Sequence, residues 1–182
     1  MDETWNRIEA WLEQHAPGVR ELLGKPASES SIAKVEQAMS VRWPEDLRAS
    51  LRRHNGQLDA GGLVGGWQLY GLDEMLGEWR TYEGDRGQHD LDSFVEPHPA
   101  IRSVYWDARW VPVAGLGSSD VVCVDLAPAE GGRVGQVIMR WKDGERGVLA
   151  PSFGAWLSTF ADDLVAGRYK VGEAGLERRR SR

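Results

Sequence analysis

Three kinds of side chain in this sequence are of types that support chemistry: one cysteine, Cys123, four histidines, and the carboxylate pair Asp120 and Asp125. They would serve as a thiolate nucleophile, imidazole bases or metal ligands, and an acid/base pair. Cys123 stands between Val122 and Val124 in an apolar run, which predicts a buried and inert thiol. His15, His54, His89 and His98 are scattered, and none has a partner at metal-site spacing. His54 follows an apolar helical stretch, where a donating side chain satisfies free carbonyls. Asp120 and Asp125 are five apart on a predicted strand, so they point to opposite faces and cannot share a substrate. Asp120 is expected to accept from amides of the turn Gly115 to Ser119. The glycines between Asp59 and Gly66 fit neither a dinucleotide fingerprint nor a phosphate loop, since no Lys-Ser/Thr follows. No catalytic residue, cofactor or metal site is expected.

The elements that would position these residues are legible in the spacing. Trp5, Ile8, Trp11 and Leu12 predict an N-terminal helix from about Thr4, broken at Pro17-Gly18. Ser28 is a candidate N-cap for a helix with Ile32, Val35 and Met39 on one stripe. A second helix is expected to start at Pro44, to carry Leu47 and Leu51 inward, and to stop at Asn55-Gly56. Trp67 to Leu72 reads as a short strand, and Leu72 to Arg80 as a short helix. Thr81 to Ala100 is polar and aperiodic, and is expected to be loop. Trp110 to Ala114 reads as a strand that Pro112 confines to an edge or an end. Asp120 to Leu126 and Val134 to Trp141 predict an antiparallel hairpin, with a further turn at Lys142 to Gly144. Ser152 caps the strongest helix, with Phe153, Trp156, Leu157, Phe160 and Leu164 on one face. Gly167 ends it, and Tyr169 to Val171 is expected to add a strand.

Composition narrows the class. The 182 residues are 41% hydrophobic and 27% charged, as in an ordinary globular domain. No apolar run spans a bilayer, the N-terminus lacks a leader pattern, and one cysteine suits a reducing compartment. A cytoplasmic protein without membrane contact is expected. The net charge of -6 is uneven, because Asp73 to Glu96 alone carries eight acidic residues against Arg80 and Arg86. Such a field repels nucleic acid and attracts a basic partner. By contrast, the end from Arg168 to Arg182 is basic, with six cationic residues against two anionic ones.

The order of motifs resembles the SUKH superfamily, which includes fungal cell-wall-assembly regulators and many bacterial toxin-immunity proteins. The matching residues begin with Ser28, Glu29, Ile32, Val35, Glu36, Pro44, Leu47, Leu51, Asn55 and Gly56. They continue with Trp110, Pro112, Ala114, Gly115, Gly117, Asp120, Asp125 and Leu126. Gly135, Gln136, Val137, Ile138, Ser152, Phe153, Trp156 and Leu157 complete the pattern. The resemblance implies an α+β fold, a twisted and mainly antiparallel sheet with helices packed around it. It implies one domain over residues 1–171, leaving 172–182 as a basic tail expected to be disordered. The stretch Thr81 to Pro99 departs from the family pattern as a long acidic insert.

Two roles follow as expectations. The preferred one is an immunity protein that neutralises a cognate toxin, a basic nuclease or other nucleic-acid enzyme, through its acidic surface. Asp85, Asp90, Asp92 and Glu96, with Glu78 and Trp79 at the margin, are the expected contact, chosen for charge and for freedom from packing duty. The alternative is a non-catalytic regulatory scaffold in cell-wall synthesis. Neither role needs a cofactor.

Overall fold

A computed structural model describes residues 1–58, 61–86, 91–115, 120–172 and 175–179 of the chain. Helix α1 (Asp2–His15) places Trp5, Ile8 and Leu12 in the core, as their spacing predicts, and leaves Trp11 half-buried. Pro17 does more than break it. It is the first residue of α2 (Pro17–Glu21), where a missing N–H is harmless.

The two helices of the family motif follow. In α3 (Glu29–Met39) the Ser28 hydroxyl accepts the Ser31 amide, and Ile32, Val35 and Met39 are buried. In α4 (Glu45–Arg53) Pro44 is the extended N-cap, with ψ 148°, and not the first helical residue. Between them the buried Glu36 carboxylate accepts the Trp43 amide at 2.7 Å and the Arg48 guanidinium. Arg48 also reaches Glu29 at 2.5 Å, and Arg52 joins Glu29 to Glu45. Charges that resemble a solvated face therefore fix the corner between two helices. The Trp5 indole N–H donates to Ser50 Oγ at 3.0 Å and ties α1 to α4.

After α4 the chain turns at Gly56, whose φ is +67°. A Cβ there would stand 2.1 Å from the Gly71 nitrogen, so only glycine fits. The predicted strand at Trp67 shrinks to β1 (Gln68–Leu69). The helix after it grows. α5 runs Leu72–Asp85, five residues into the stretch expected to be loop, because Tyr82 is buried and holds its last turns. A 3-10 turn, Leu91–Phe94, lies further along the same stretch.

The remaining strands are β2 (Trp110–Gly115), β3 (Val121–Asp125), β4 (Gln136–Arg140) and β5 (Arg146–Ala150). They pair antiparallel in the order β1-β2-β3-β4-β5, which confirms the α+β class and the hairpin read from the sequence. Pro112 departs from expectation, since β2 lies inside the sheet. The proline is accommodated because the register shifts between Pro112 and Ala114, and because β1 reaches only Ala114 and Gly115. α6 (Phe153–Val165) is capped by Ser152 Oγ and buries Phe153, Leu157, Phe160 and Leu164, with Trp156 half-buried at its edge.

The expected boundary at residue 171 falls inside a second, two-stranded sheet. β6 (Tyr169–Gly172) pairs with β7 (Gly175–Arg178), where Leu176 is buried and its amide donates to the Gly62 carbonyl at 2.8 Å. Asp163 of α6 accepts from both Arg168 and Arg178, so Arg178 of the expected tail has a structural partner.

Candidate partner-binding cleft

Most groups with chemical potential have structural employment. Cys123 is fully buried, and burial pushes its thiol far above the ordinary range. Asp125 is also fully buried, and burial raises its carboxyl despite three donors: the Trp110 indole N–H (3.0 Å), the Ala127 amide (2.8 Å) and Gln136 Nε2 (2.9 Å). Asp120 accepts the Lys142 amide at 2.9 Å, and the turn it was expected to cap lies outside the described residues.

His54 lies 3.1 Å from the Gly24 carbonyl through Nδ1, and 2.8 Å from Glu9 Oε1 through Nε2. It therefore reaches across to α1 and the Gly24 loop and does not serve the end of its own helix. Glu9 also takes a bidentate pair from Arg53, at 2.7 and 2.8 Å. The Arg53 hydrogen bonds, aided by His54, outweigh burial and bring the Glu9 carboxyl down to about 2. No group of three or more His, Cys, Asp or Glu able to hold a metal occurs among the described residues.

A cleft of about 520 Å³ lies at the end of α5. Arg86, the 3-10 turn with Leu91 and Asp92, and the segment from Arg102 to Arg109 line it. Its rear wall is aromatic. Tyr82 stacks on Trp106 at 4.7 Å, and Trp106 meets Trp110 edge-on at 5.8 Å. The buried Arg140 guanidinium lies 4.4 Å from the Tyr82 ring and 4.3 Å from the Tyr105 ring, and Arg140 Nε donates to the Tyr105 carbonyl. Arg146, also buried, donates to the Val104 and Tyr105 carbonyls at 3.5 and 3.3 Å. Burial lowers its pKa to about 10, and the neighbouring Arg140 charge adds to that fall. Two cations inside the sheet thus pin the back of the segment by its carbonyls.

The front is set by Asp107. This buried carboxylate accepts from Arg102 Nη1 at 2.5 Å, from Arg109 Nε at 3.0 Å and from Arg109 Nη2 at 3.1 Å. Burial alone would raise its pKa, but Arg109 and Arg102 outweigh it and hold the carboxyl below its usual value. Arg102 and Arg109 stay 43% and 50% exposed, so Asp107 orients two guanidiniums toward solvent.

The six expected contact residues disperse around this site. Asp92 lines the cleft, and its Oδ1 accepts the Tyr105 amide at 2.6 Å. The Trp79 indole N–H donates to the Ala108 carbonyl at 2.9 Å, a strut from α5 to the cleft segment. Glu78 is half-buried, and desolvation raises its carboxyl against the pull of Arg140. Asp85 is half-exposed at the last turn of α5, and Glu96 is exposed, with its amide on the Gly144 carbonyl. Asp90 lies outside the described residues. Of the six, the Asp92 and Trp79 side chains hold the cleft segment by hydrogen bonds. Arg86, Arg102, Tyr105, Trp106, Asp107 and Arg109 were missed. The Asp107-x-Arg109 spacing hints at a local ion pair, but nothing local brings Arg102 onto the same carboxylate.

These features define a class: an α+β protein with a five-stranded antiparallel sheet, a wrap of helices, and a charged cleft held open by structural ion pairs. The chain belongs to the SMI1 / KNR4 family (SUKH-1), whose sequence profile matches residues 26–159. Similar proteins include the cell wall assembly regulator SMI1 of Saccharomyces cerevisiae, 26% identical over 91% of this chain and 40% of the relative. The glucan synthesis regulatory protein of Neurospora crassa is 25% identical over 93% of this chain and 39% of its own length. The cell wall biosynthesis/cell cycle regulator smi1 of Schizosaccharomyces pombe is 27% identical over 95% of this chain and 38% of its own length. The chain thus spans less than half the length of these relatives. They are named as regulators, not as enzymes. Among the described residues, no helix is long and apolar enough to cross a membrane.

Proposed function

We propose that this protein is a non-catalytic binding module that regulates cell-wall synthesis. The observation that carries the reading is the similarity itself. The family profile covers residues 26–159, and the fungal relatives that align with over nine-tenths of the chain are named as regulators of wall or glucan synthesis. The burial of Cys123 and Asp125 and the engagement of His54 support a binding role over a catalytic one. This reverses the preference drawn from the sequence. The immunity role keeps one observation in its favour, the acidic balance of Asp73 to Glu96.

The test is deletion of the gene in the source organism, followed by challenge with a wall-synthesis inhibitor. Hypersensitivity, restored by the intact gene, is expected. Unchanged sensitivity, together with recovery of a basic toxin in equal proportion on the tagged protein, would replace this reading with the immunity role.

A further inference from the structure

We propose that the cleft at the end of α5 binds a phosphorylated segment of a partner protein through Arg102, Arg109 and Arg86. The inference rests on the reading of the chain as a binding module, and it names the chemistry of the partner. The sequence pointed the other way, to a basic partner, because the surrounding stretch is so acidic. The cleft itself has the opposite sign. Its lining holds Arg86, Arg102 and Arg109 against Asp92 and Asp107, an excess of guanidinium where the segment Arg102 to Arg109 meets the end of the acidic stretch Asp73 to Glu96.

The hydrogen-bonding capacity points the same way. Both Asp107 oxygens are occupied by Arg102 and Arg109, and Asp92 Oδ1 by the Tyr105 amide. Among the described residues, Arg102 Nε and Nη2 and Arg109 Nη1 have no acceptor. Trp106, which lines the same cleft and is 3% exposed, has an indole N–H that is buried with no acceptor. A buried donor in that state costs free energy that a bound acceptor would recover. Arg86 pairs with Glu83 at 2.5 Å yet is 56% exposed, so it is available at the rim. One unassigned carboxylate oxygen, Asp92 Oδ2, opposes these donors.

Charge decides between a carboxylate and a phosphate as occupant. A peptide carboxylate brings one charge and must compete with Asp107, which already holds both guanidiniums on one oxygen, Oδ2. A phosphoserine or phosphothreonine brings about -1.5 to -2 and three acceptor oxygens, enough to meet several donors at once. Asp107 then acts as a brace, presenting two planar forks at one point. Leu91 and Val104 in the lining offer apolar contact to residues flanking the phosphate.

The experiment passes degenerate peptide libraries with a fixed phosphoserine or phosphothreonine over the immobilised full chain, beside matched unphosphorylated libraries. Retention of the phosphorylated pool, abolished by phosphatase treatment of the peptides, is expected. The retained pool should shift the Trp106 Nε1–H resonance, assigned through Trp106→Phe. Arg102→Gln with Arg109→Gln should weaken binding at least tenfold. Arg86→Gln, which leaves the Asp107 brace intact, serves if that double variant fails to fold, and should weaken binding by a factor of about three.

Equal retention of both libraries, no retention of either, or unchanged affinity in the folded arginine variants would overturn the proposal. So would binding only to phosphatidylcholine vesicles doped with phosphatidylinositol phosphate, which would assign the cleft to a lipid headgroup. If these arginine variants still complement the deletion strain and the libraries fail, the phosphate inference falls while the regulatory reading stands.

Discussion

At the scale of single residues, this protein uses its ionisable groups as fasteners. Glu36 sits in the corner between two helices, Asp163 gathers Arg168 and Arg178 at the two ends of the C-terminal hairpin, and Asp107 braces the cleft. Glu9 is the clearest case, because Arg53 and His54 both reach it from α4 across to α1. Its carboxyl falls from 4.5 to about 2 on folding, so the sign is that of a depressed acid. The stabilisation is complete above the unfolded value of 4.5 and is lost as pH falls from there toward 2. Glu9→Gln is therefore expected to cost about 2 kcal/mol near neutrality, as for a lost hydrogen bond to a charged group. It should also flatten the acid limb of the stability curve. Urea midpoints between pH 6 and the acid transition measure both, and a variant with the wild-type acid slope would remove Glu9 from this role.

At the scale of elements, α5 decides the site. Had it ended near Arg80, as its spacing suggests, Tyr82 would not be placed against Trp106 of the cleft wall, nor Arg86 on its rim. It continues because Tyr82, at 4% exposure, stacks on Trp106 and lies under the Arg140 guanidinium. Tyr82→Ala should cost about 3 kcal/mol, within the range for removing a buried aromatic ring. It should also raise amide exchange over the last turn of α5 before the rest of the helix. A change below about 0.5 kcal/mol, typical of an exposed position, would mean that the end of α5 is not docked. The extension was not legible because one aromatic per turn is no periodicity. Its partner, Trp106, is remote in sequence. By contrast, α3, α4 and α6 were legible almost to the residue, since Ser28, Ser152 and the apolar stripes signal locally.

At the scale of the whole molecule, the two termini and the charge distribution separate what was legible from what was not. The basic end reads as a solubilising tail, yet Leu176 is 1% exposed and hydrogen-bonded to the Gly62 loop. Leu176→Ala should cost about 2–4 kcal/mol by cavity formation, read from a lowered urea midpoint at constant slope. A neutral result would return β7 to the status of a tail. The helices α1, α3, α4 and α6, the β3–β4 hairpin, the buried Cys123 and the family were present in local spacing and short motifs, whereas β5 and β7 were not. Local patterns carry the former because a helix stripe or a strand alternation repeats within a few residues. The sign of the cleft was not present there. The surrounding stretch is acidic on average, and averages were all that an aperiodic segment offered. Folding engages Asp92 of that stretch on an amide and half-buries Glu78, and it brings against them a separate segment whose buried Asp107 carries Arg102 and Arg109. That outcome depends on which side chains meet across the end of α5, and such meetings arise only when distant segments pack together.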